Sequence, residues 1–388
     1  MRKLFFLIVI YTCFVSVVVN AQDTDVSSNG TMDPKAAVHY NNAIQFMKAE
    51  KFEDALKSID SSLMITKDHK SYYLQGQANL KLGKTADAII SFGECVKLNP
   101  NYDPGWMASG NAHLVLKEFD LAINDFNKVA EVTKDPNIKS KADESIKFTL
   151  NTKSIEFYNK GNELNKQNKF EEAVLSYDQA LSISKDPKYY YQKGLVLSKL
   201  TKNKEAEDAL KSAIALNDSF DIGYVALASL QTVNKDYEGA IKSYEKALTV
   251  TTNENLKSSI KESISKTYLA AGNNSYKDKK YDQSIEWMMK SIANSPSDAA
   301  YLGLAKTYIE KKKYNDAITA LDSSKSLQKD VTDGAIAYYR GLVQMNKGEE
   351  SKAIESFTIA LNDPIYKKAS QAQIDYLKAK QKGTKTKK

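Results

Sequence analysis

The chain has 388 residues, 42% of them hydrophobic and 27% charged, with a net charge of +7. That is enough apolar material to fold, and by length alone two or three domains' worth, unless repeats extend one architecture. Removing the two positive charges of Arg2 and Lys3 and the six lysines from Lys378 onward leaves −1 over residues 22–377, and Arg2 and Arg340 are the only arginines. Bidentate recognition of phosphates and base edges is therefore largely unavailable, and nucleic acid is excluded as an expected partner.

The first 21 residues differ from the rest. Arg2 and Lys3 precede an apolar run from Leu4 to Val19, and Val19-Asn20-Ala21 offers small residues before polar Gln22. This pattern predicts a secretory signal peptide over 1–21 and an exported mature chain, followed by a flexible linker over 22–35. An uncleaved anchor is the alternative, but the run is shorter than the ~20 residues a span needs. A lipoprotein signal would place a small residue before Cys13, where Thr12 stands. After cleavage only Cys95 remains, so no internal disulfide is possible.

From residue 36 the sequence repeats. The segments "YYLQGQANLKLGKTADAIISFGECVKLNP" from Tyr72, "FYNKGNELNKQNKFEEAVLSYDQALSIS" from Phe157 and "YLGLAKTYIEKKKYNDAITALDSSKSL" from Tyr301 share one spacing. Each runs from an aromatic to a small residue four later, to Ala twelve further on, then to a large and a small residue. This suits two antiparallel helices packed closely, with small residues on each allowing the approach. The small residues are Gly76, Gly110, Gly161, Gly194 and Gly341 on first helices, and Ala55, Ala88, Ala122, Ala173, Ala206, Ala240, Ala317 and Ala353 on second helices. Phe52, Phe119, Phe170, Tyr237, Tyr281 and Tyr314 close the turn ends.

The pattern resembles the tetratricopeptide repeat (TPR) family, whose unit is a 34-residue helix-turn-helix. The resemblance covers nearly all of 36–361 as nine units, with Ser284 replacing the second-helix Ala in the seventh. It implies an all-α solenoid. Second-helix small residues are spaced 33 and 34 apart, then 51, then 33 and 34, then 44, then 33 and 36. The two jumps hold "NIKSKADESIKFTL" (137–150) and "NLKSSIKESISKTYL" (255–269), and "DPIYKKASQAQIDYLKAK" (363–380) resembles a third copy. A stack of repeats needs its last apolar side covered, so these segments read as capping helices of a copied three-unit module. The expected organisation is 36–150, 151–269 and 270–380, each three repeats plus a helix, then a basic disordered tail over 381–388. Each internal cap either merges with the next first helix, as over Asn137 to about Gln167, or breaks from it near Asn151.

Chemistry is sparse. His39, His69 and His113 lie in different units without metal spacing, and Cys95 falls at a small position of a second helix. Acidic residues gather in "FEDA", "FEEA" and "YEGA", where they open second helices. No phosphate loop, catalytic triad or paired-carboxylate site stands out. A non-catalytic chain is expected, with no cofactor, no metal and no small-molecule substrate.

The TPR resemblance implies binding in a concave groove lined by first helices, at the positions three before and one after the small residue. The earlier position holds Tyr40, Tyr73, Met107, Tyr158, Tyr191 and Tyr338; the later holds Asn111, Asn162 and Asn273, with Gln77 and Lys306. Tyr offers a broad apolar face with a polar tip, and Asn both donates and accepts. A peptide segment or helix of a protein in the cell envelope, most naturally a bacterial periplasm, is the expected partner. A holdase chaperone or assembly factor for exported proteins is the alternative. One TPR branch clamps the carboxylate ends of chaperone tails with Lys and Asn. Asn162 matches, but Tyr158 stands where Lys is required and Ile222 and Ala226 replace the third-unit cations, which argues against that activity. The lysine-rich tail is either a solvated terminus or a peripheral contact to an anionic envelope polymer.

Overall fold

The computed structural model describes residues 32–385. The expected signal peptide, most of the linker and the last three residues lie outside them. Nineteen helices and no strands make up the described chain. Nine first/second pairs follow in order: α1 (Pro34–Lys48) with α2 (Phe52–Ile65), α3 (His69–Lys81) with α4 (Thr85–Leu98), α5 (Asp103–Val115) with α6 (Phe119–Val132), and α7 (Pro136–Lys166) with α8 (Phe170–Ile183). Then come α9 (Pro187–Lys199) with α10 (Asn203–Leu216), α11 (Asp221–Val233) with α12 (Tyr237–Val250), α13 (Glu254–Lys277) with α14 (Tyr281–Asn294), α15 (Asp298–Glu310) with α16 (Tyr314–Leu327), and α17 (Asp333–Asn346) with α18 (Glu350–Ala360). A last helix, α19, spans Lys367–Lys385. None of the described helices is long and apolar enough to cross a membrane. The chain forms two compact units that divide between Glu156 and Phe157.

The pair seam follows the small-residue rule. All eight second-helix alanines are fully buried. Opposite them, the Phe92, Phe126, Tyr177 and Phe357 rings lie directly over first-helix glycines. A Cβ added at Gly161 would sit 2.6 Å from Tyr177, and one at Gly341 2.8 Å from Phe357. Ser284, the departure from the alanine rule, is fully buried and donates its hydroxyl to the Gly272 carbonyl at 2.9 Å. Its polar atom is satisfied, so the substitution keeps the close approach without the penalty of an unpaired group.

One turn is used nine times. Glu50, Gly83, Lys117, Asn168, Thr201, Lys235, Lys279, Lys312 and Gly348 each take the left-handed conformation, with φ between 58° and 82°. In every case the next residue's N–H reaches the carbonyl five residues back, as from Lys51 to Phe46 at 2.9 Å and Glu349 to Gln344 at 2.8 Å. This is the Schellman closure of a helix C-terminus. The residue after it opens the second helix, and only Asp236 among these nine caps with its own side chain. A carboxylate in the first turn, such as Glu53, Asp120 or Glu238, supplies the missing negative charge in all nine second helices. The opening residue also follows a rhythm: Lys51, Lys84, Glu118; Lys169, Lys202, Asp236; Lys280, Lys313, Glu349.

Both inserted segments merge with the following first helix, giving the single 31-residue α7 and the 24-residue α13. No helix boundary falls at Asn151. α19 caps the final pair by placing Ile374 and Leu377 against Ala353 and Phe357. Two ends differ from expectation. α1 starts at Pro34, inside the expected linker, because the Asp33 carboxylate accepts the Lys35 N–H at 2.7 Å and Pro suits a first helical turn. α19 continues to Lys385, into the segment expected to be disordered, since Ala, Lys and Gln favour helix and only Gly383 interrupts them.

The shared turn predicts opposite outcomes at two of its sites. Thr201 is β-branched at φ 59°, whereas Gly348 adopts φ 82° at no steric cost. Thr201→Gly should stabilise the chain by up to about 1 kcal/mol, and Gly348→Ala should destabilise it by about 1 kcal/mol, read as opposite shifts of the urea midpoint.

Candidate functional site

The first-helix residues expected to line a binding face occupy different surroundings. Tyr40 is a correction: it is only 7% exposed and packs in a core with Ile44, Ile59, Leu74 and Ala78. It presents no face to a partner, because the neighbouring pair closes over its ring. Tyr73, Tyr158, Tyr191 and Tyr338 are half-buried at seams between pairs. Each is covered on one side by an aromatic near the start of the next first helix or, for Tyr338, ahead of α19. Tyr73 meets Tyr102 edge-on at 5.4 Å, Tyr191 meets Phe220 at 5.5 Å, and Tyr338 lies 4.9 Å from Tyr366. Tyr158 stacks on Tyr189 at 4.7 Å and 26°. Burial, with Tyr158 nearby, pushes the Tyr191 phenol up.

The polar positions divide too. Asn162 is half-buried, and its Oδ1 accepts the buried Tyr177 hydroxyl at 2.8 Å. Its carbonyl therefore serves the pair seam. Met107 and Asn111 are half-buried, and Asn273 is exposed.

A cluster that the sequence positions alone did not assemble lies on α13, α15 and α17. Lys306 is half-buried on α15, with Nζ 5.3 Å from the Tyr276 ring centre on α13 and 5.5 Å from that of Tyr339 on α17. Among the described residues Lys306 forms no ion pair. Burial, with Lys277 beside it, pushes its ammonium below the ordinary lysine range. The Tyr276 hydroxyl donates to Glu310 Oε1 at 3.4 Å, and burial with that carboxylate pushes its phenol up to about 12. Burial and Tyr366 likewise push Tyr339 up. Two sequence signals could have found this site: Tyr276 four residues after Gly272, and Tyr339 two before Gly341.

The other chemically capable residues are accounted for by packing. Cys95 is fully buried, and burial, with Asp68 nearby, pushes its thiol up to about 12. The same second-helix slot holds Ser62, Ser291 and Ser324, each donating to the carbonyl 26 residues earlier. The Cys95 slot thus calls for a small side chain, and the protonated thiol is a poor nucleophile. His69 lies 3.3 Å from Asn99 Nδ2 and edge-on to Tyr102. No group of three or more His, Cys, Asp or Glu side chains placed to hold a metal occurs among the described residues.

His113 is largely buried, and carboxylates flank it. Its Nδ1 lies 2.7 Å from Glu118 Oε2 and its Nε2 3.7 Å from Asp125 Oδ2. The corresponding slots hold Gln231 with Ser243 and Gln344 with Ser356, where Ser donates to Gln at 2.7 Å. Asp125 Oδ2 is buried without a hydrogen bond, and burial pushes this carboxyl above its ordinary value near 3.8. Between 3.8 and that raised value the native state holds the proton more tightly than the unfolded chain. Stability therefore rises as pH falls through this window, and ionisation at higher pH costs it. His113→Gln/Asp125→Ser, which installs the neutral pair, should be more stable than wild type by roughly 1–3 kcal/mol near neutral pH. That advantage should shrink as pH falls through the window, checked by urea unfolding of both proteins across the range.

Family models described as tetratricopeptide repeats match residues 69–102 and 157–187, and residues 191–254. The Hsp70-Hsp90 organizing protein of Triticum aestivum is 28% identical over 142 residues, which is 34% of this chain and 24% of that protein. Hsp70-Hsp90 organizing protein 1 of Glycine max is 25% identical over 219 residues, 54% of this chain and 34% of that protein. The chain thus spans a quarter to a third of the length of these relatives. A solved tetratricopeptide repeat protein from Parabacteroides merdae covers 80% of this chain and 98% of its own at 15% identity, with a TM-score of 0.30. Nine helix pairs, alanines buried at every second-helix seam but one, and repeat models matching in both compact units make this chain similar to the tetratricopeptide repeat family over the residues those models match.

Proposed function

We propose that this protein is a non-catalytic interaction scaffold that holds an extended segment of a partner protein along its first-helix faces. The observation that carries this reading is the residual exposure of that face. After the seams are packed, Asn273 remains exposed, and Gln77, Asn111 and one side of the seam tyrosines remain half-exposed. Within each compact unit such residues pair apolar contact with donors and acceptors for a peptide backbone. The relatives named as Hsp70-Hsp90 organizing proteins support a scaffold role in general terms. The specific recognition of chaperone tails does not carry over, because Tyr158, Ile222 and Ala226 occupy the positions where cations would be needed. The aromatic banks around Tyr158 and Tyr338 also favour a second reading, a holdase for unfolded exported chains.

The same proposal includes export through residues 1–21, an envelope location and three modules at 36–150, 151–269 and 270–380. The acidic residue opening the second helix of every third pair supports the triplicate origin.

Partner capture with the mature chain, beside Asn111→Arg in one compact unit and Asn273→Arg in the other, tests the scaffold. One dominant partner, lost with the variant in the unit that holds it, is the expected result. Many unrelated clients would favour the holdase, and retention of every partner by both variants would refute the first-helix face. Mass spectrometry of the protein from its native cell should give an N-terminus at Gln22; an intact Met1 would refute export by cleavage.

A further inference from the structure

We propose that Lys306 and its flanking tyrosines form a pocket for an acidic side chain, Asp or Glu, in the interior of an extended partner segment. The inference rests on the scaffold reading above and names the chemistry of one point on that face.

Lys306 is an unpaired cation held between two rings. Its ammonium faces the Tyr276 and Tyr339 rings at 5.3 and 5.5 Å. The ring faces stabilise a cation but do not neutralise it. Basic side chains on the neighbouring helices such as Lys311 and Arg340 have carboxylate partners, Asp282 and Asp322, whereas no ion pair forms at Lys306 among the described residues. The nearest acid that the cluster holds, Glu310, accepts from Tyr276 instead. Lys277 adds a second positive charge close by. A carboxylate arriving at Lys306 thus meets a partly desolvated ammonium that is in no ion pair among the described residues, and there a charge-assisted hydrogen bond is stronger than at an open surface.

The placement selects an internal side chain over a chain terminus. α15 packs between α13 and α17, and each of the three contributes one member of the cluster. A segment anchored at the middle helix has first-helix face on both sides along which its backbone can continue. The pocket also belongs to one module. The positions of Tyr276, Lys306 and Tyr339 hold Met47, Gln77 and Ala108 in the first three pairs, and Asn165, Leu195 and Ala226 in the next three. Neither set offers a cation between rings, so the last three pairs alone should read the acidic residue.

The test uses the mature full chain and a random peptide library displayed as internal fusions, so that no peptide has a free C-terminus. Wild type should enrich sequences with one Asp or Glu among apolar residues. Lys306→Met, which removes the charge and keeps an unbranched apolar side chain, should lose that enrichment, and Lys306→Arg should retain it. For a selected peptide, replacing its acid by the amide should weaken binding to wild type about ten- to a hundredfold and leave binding to Lys306→Met nearly unchanged. Enriched peptides with no acidic preference, or an acid effect equal in wild type and Lys306→Met, would overturn the pocket while leaving the scaffold standing. A parallel library with free C-termini in which the preference moves to the terminal carboxylate would overturn the choice of an internal side chain. Failure of wild type to enrich any peptide would overturn the scaffold reading and this one with it.

Discussion

The close approach of the two helices in each pair is the constraint from which the other features follow. It requires a small residue on both sides of the seam, met by fully buried alanines on second helices and by glycines lying under Phe92, Phe126, Tyr177 and Phe357. Helices this close and antiparallel leave little chain for the connection. The nine turns therefore reverse direction through one left-handed residue and one Schellman hydrogen bond, whatever side chain occupies the site. Tolerance of Thr201 and four lysines at a glycine-favouring conformation shows how firmly the seam dictates the turn.

Once the backbone is fixed, each position becomes a slot that different chemistry can fill. The buried slot of Cys95 takes Ser in three other pairs, and the hydroxyl then bonds a backbone carbonyl. The slot filled by Gln and Ser in two pairs is filled by His113 and Asp125 in a third, turning a neutral hydrogen bond into a titratable contact. These exchanges leave the fold unchanged because volume is roughly conserved, although the His113 and Asp125 pair leaves Asp125 Oδ2 without a hydrogen bond. Individual properties of the protein therefore reside where pairs differ. Lys306 is such a place, since its counterparts Gln77 and Leu195 carry no charge.

The binding face is built from what the seams leave over. Aromatic residues three before the first-helix small position serve two purposes: one side seals the gap to the next pair and the other stays accessible. The balance depends on what the next pair brings. Tyr102, Phe220 and Tyr366 each pack on one tyrosine that stays half-buried, whereas Tyr40 is enclosed. Asn162 shows the same competition in polar form, its carbonyl taken by Tyr177.

Spacing in the sequence by itself determined the helix pairs, their seams, the two inserted helical segments and the cap on the final pair, while the structure decided that each insert merges with the next first helix. Those features depend on residues near in sequence and on a periodicity that survives substitution. The tertiary structure alone decided which tyrosines keep an open face, that Tyr40 keeps none, and that Lys306 stands between Tyr276 and Tyr339. Each of these depends on side chains some thirty residues apart meeting across neighbouring pairs, where ring orientation and burial follow from packing and not from the periodic pattern. The ends of the described chain show the same limit: local helix propensity and a single Asp33 cap, not the repeat, set where α1 begins and how far α19 extends.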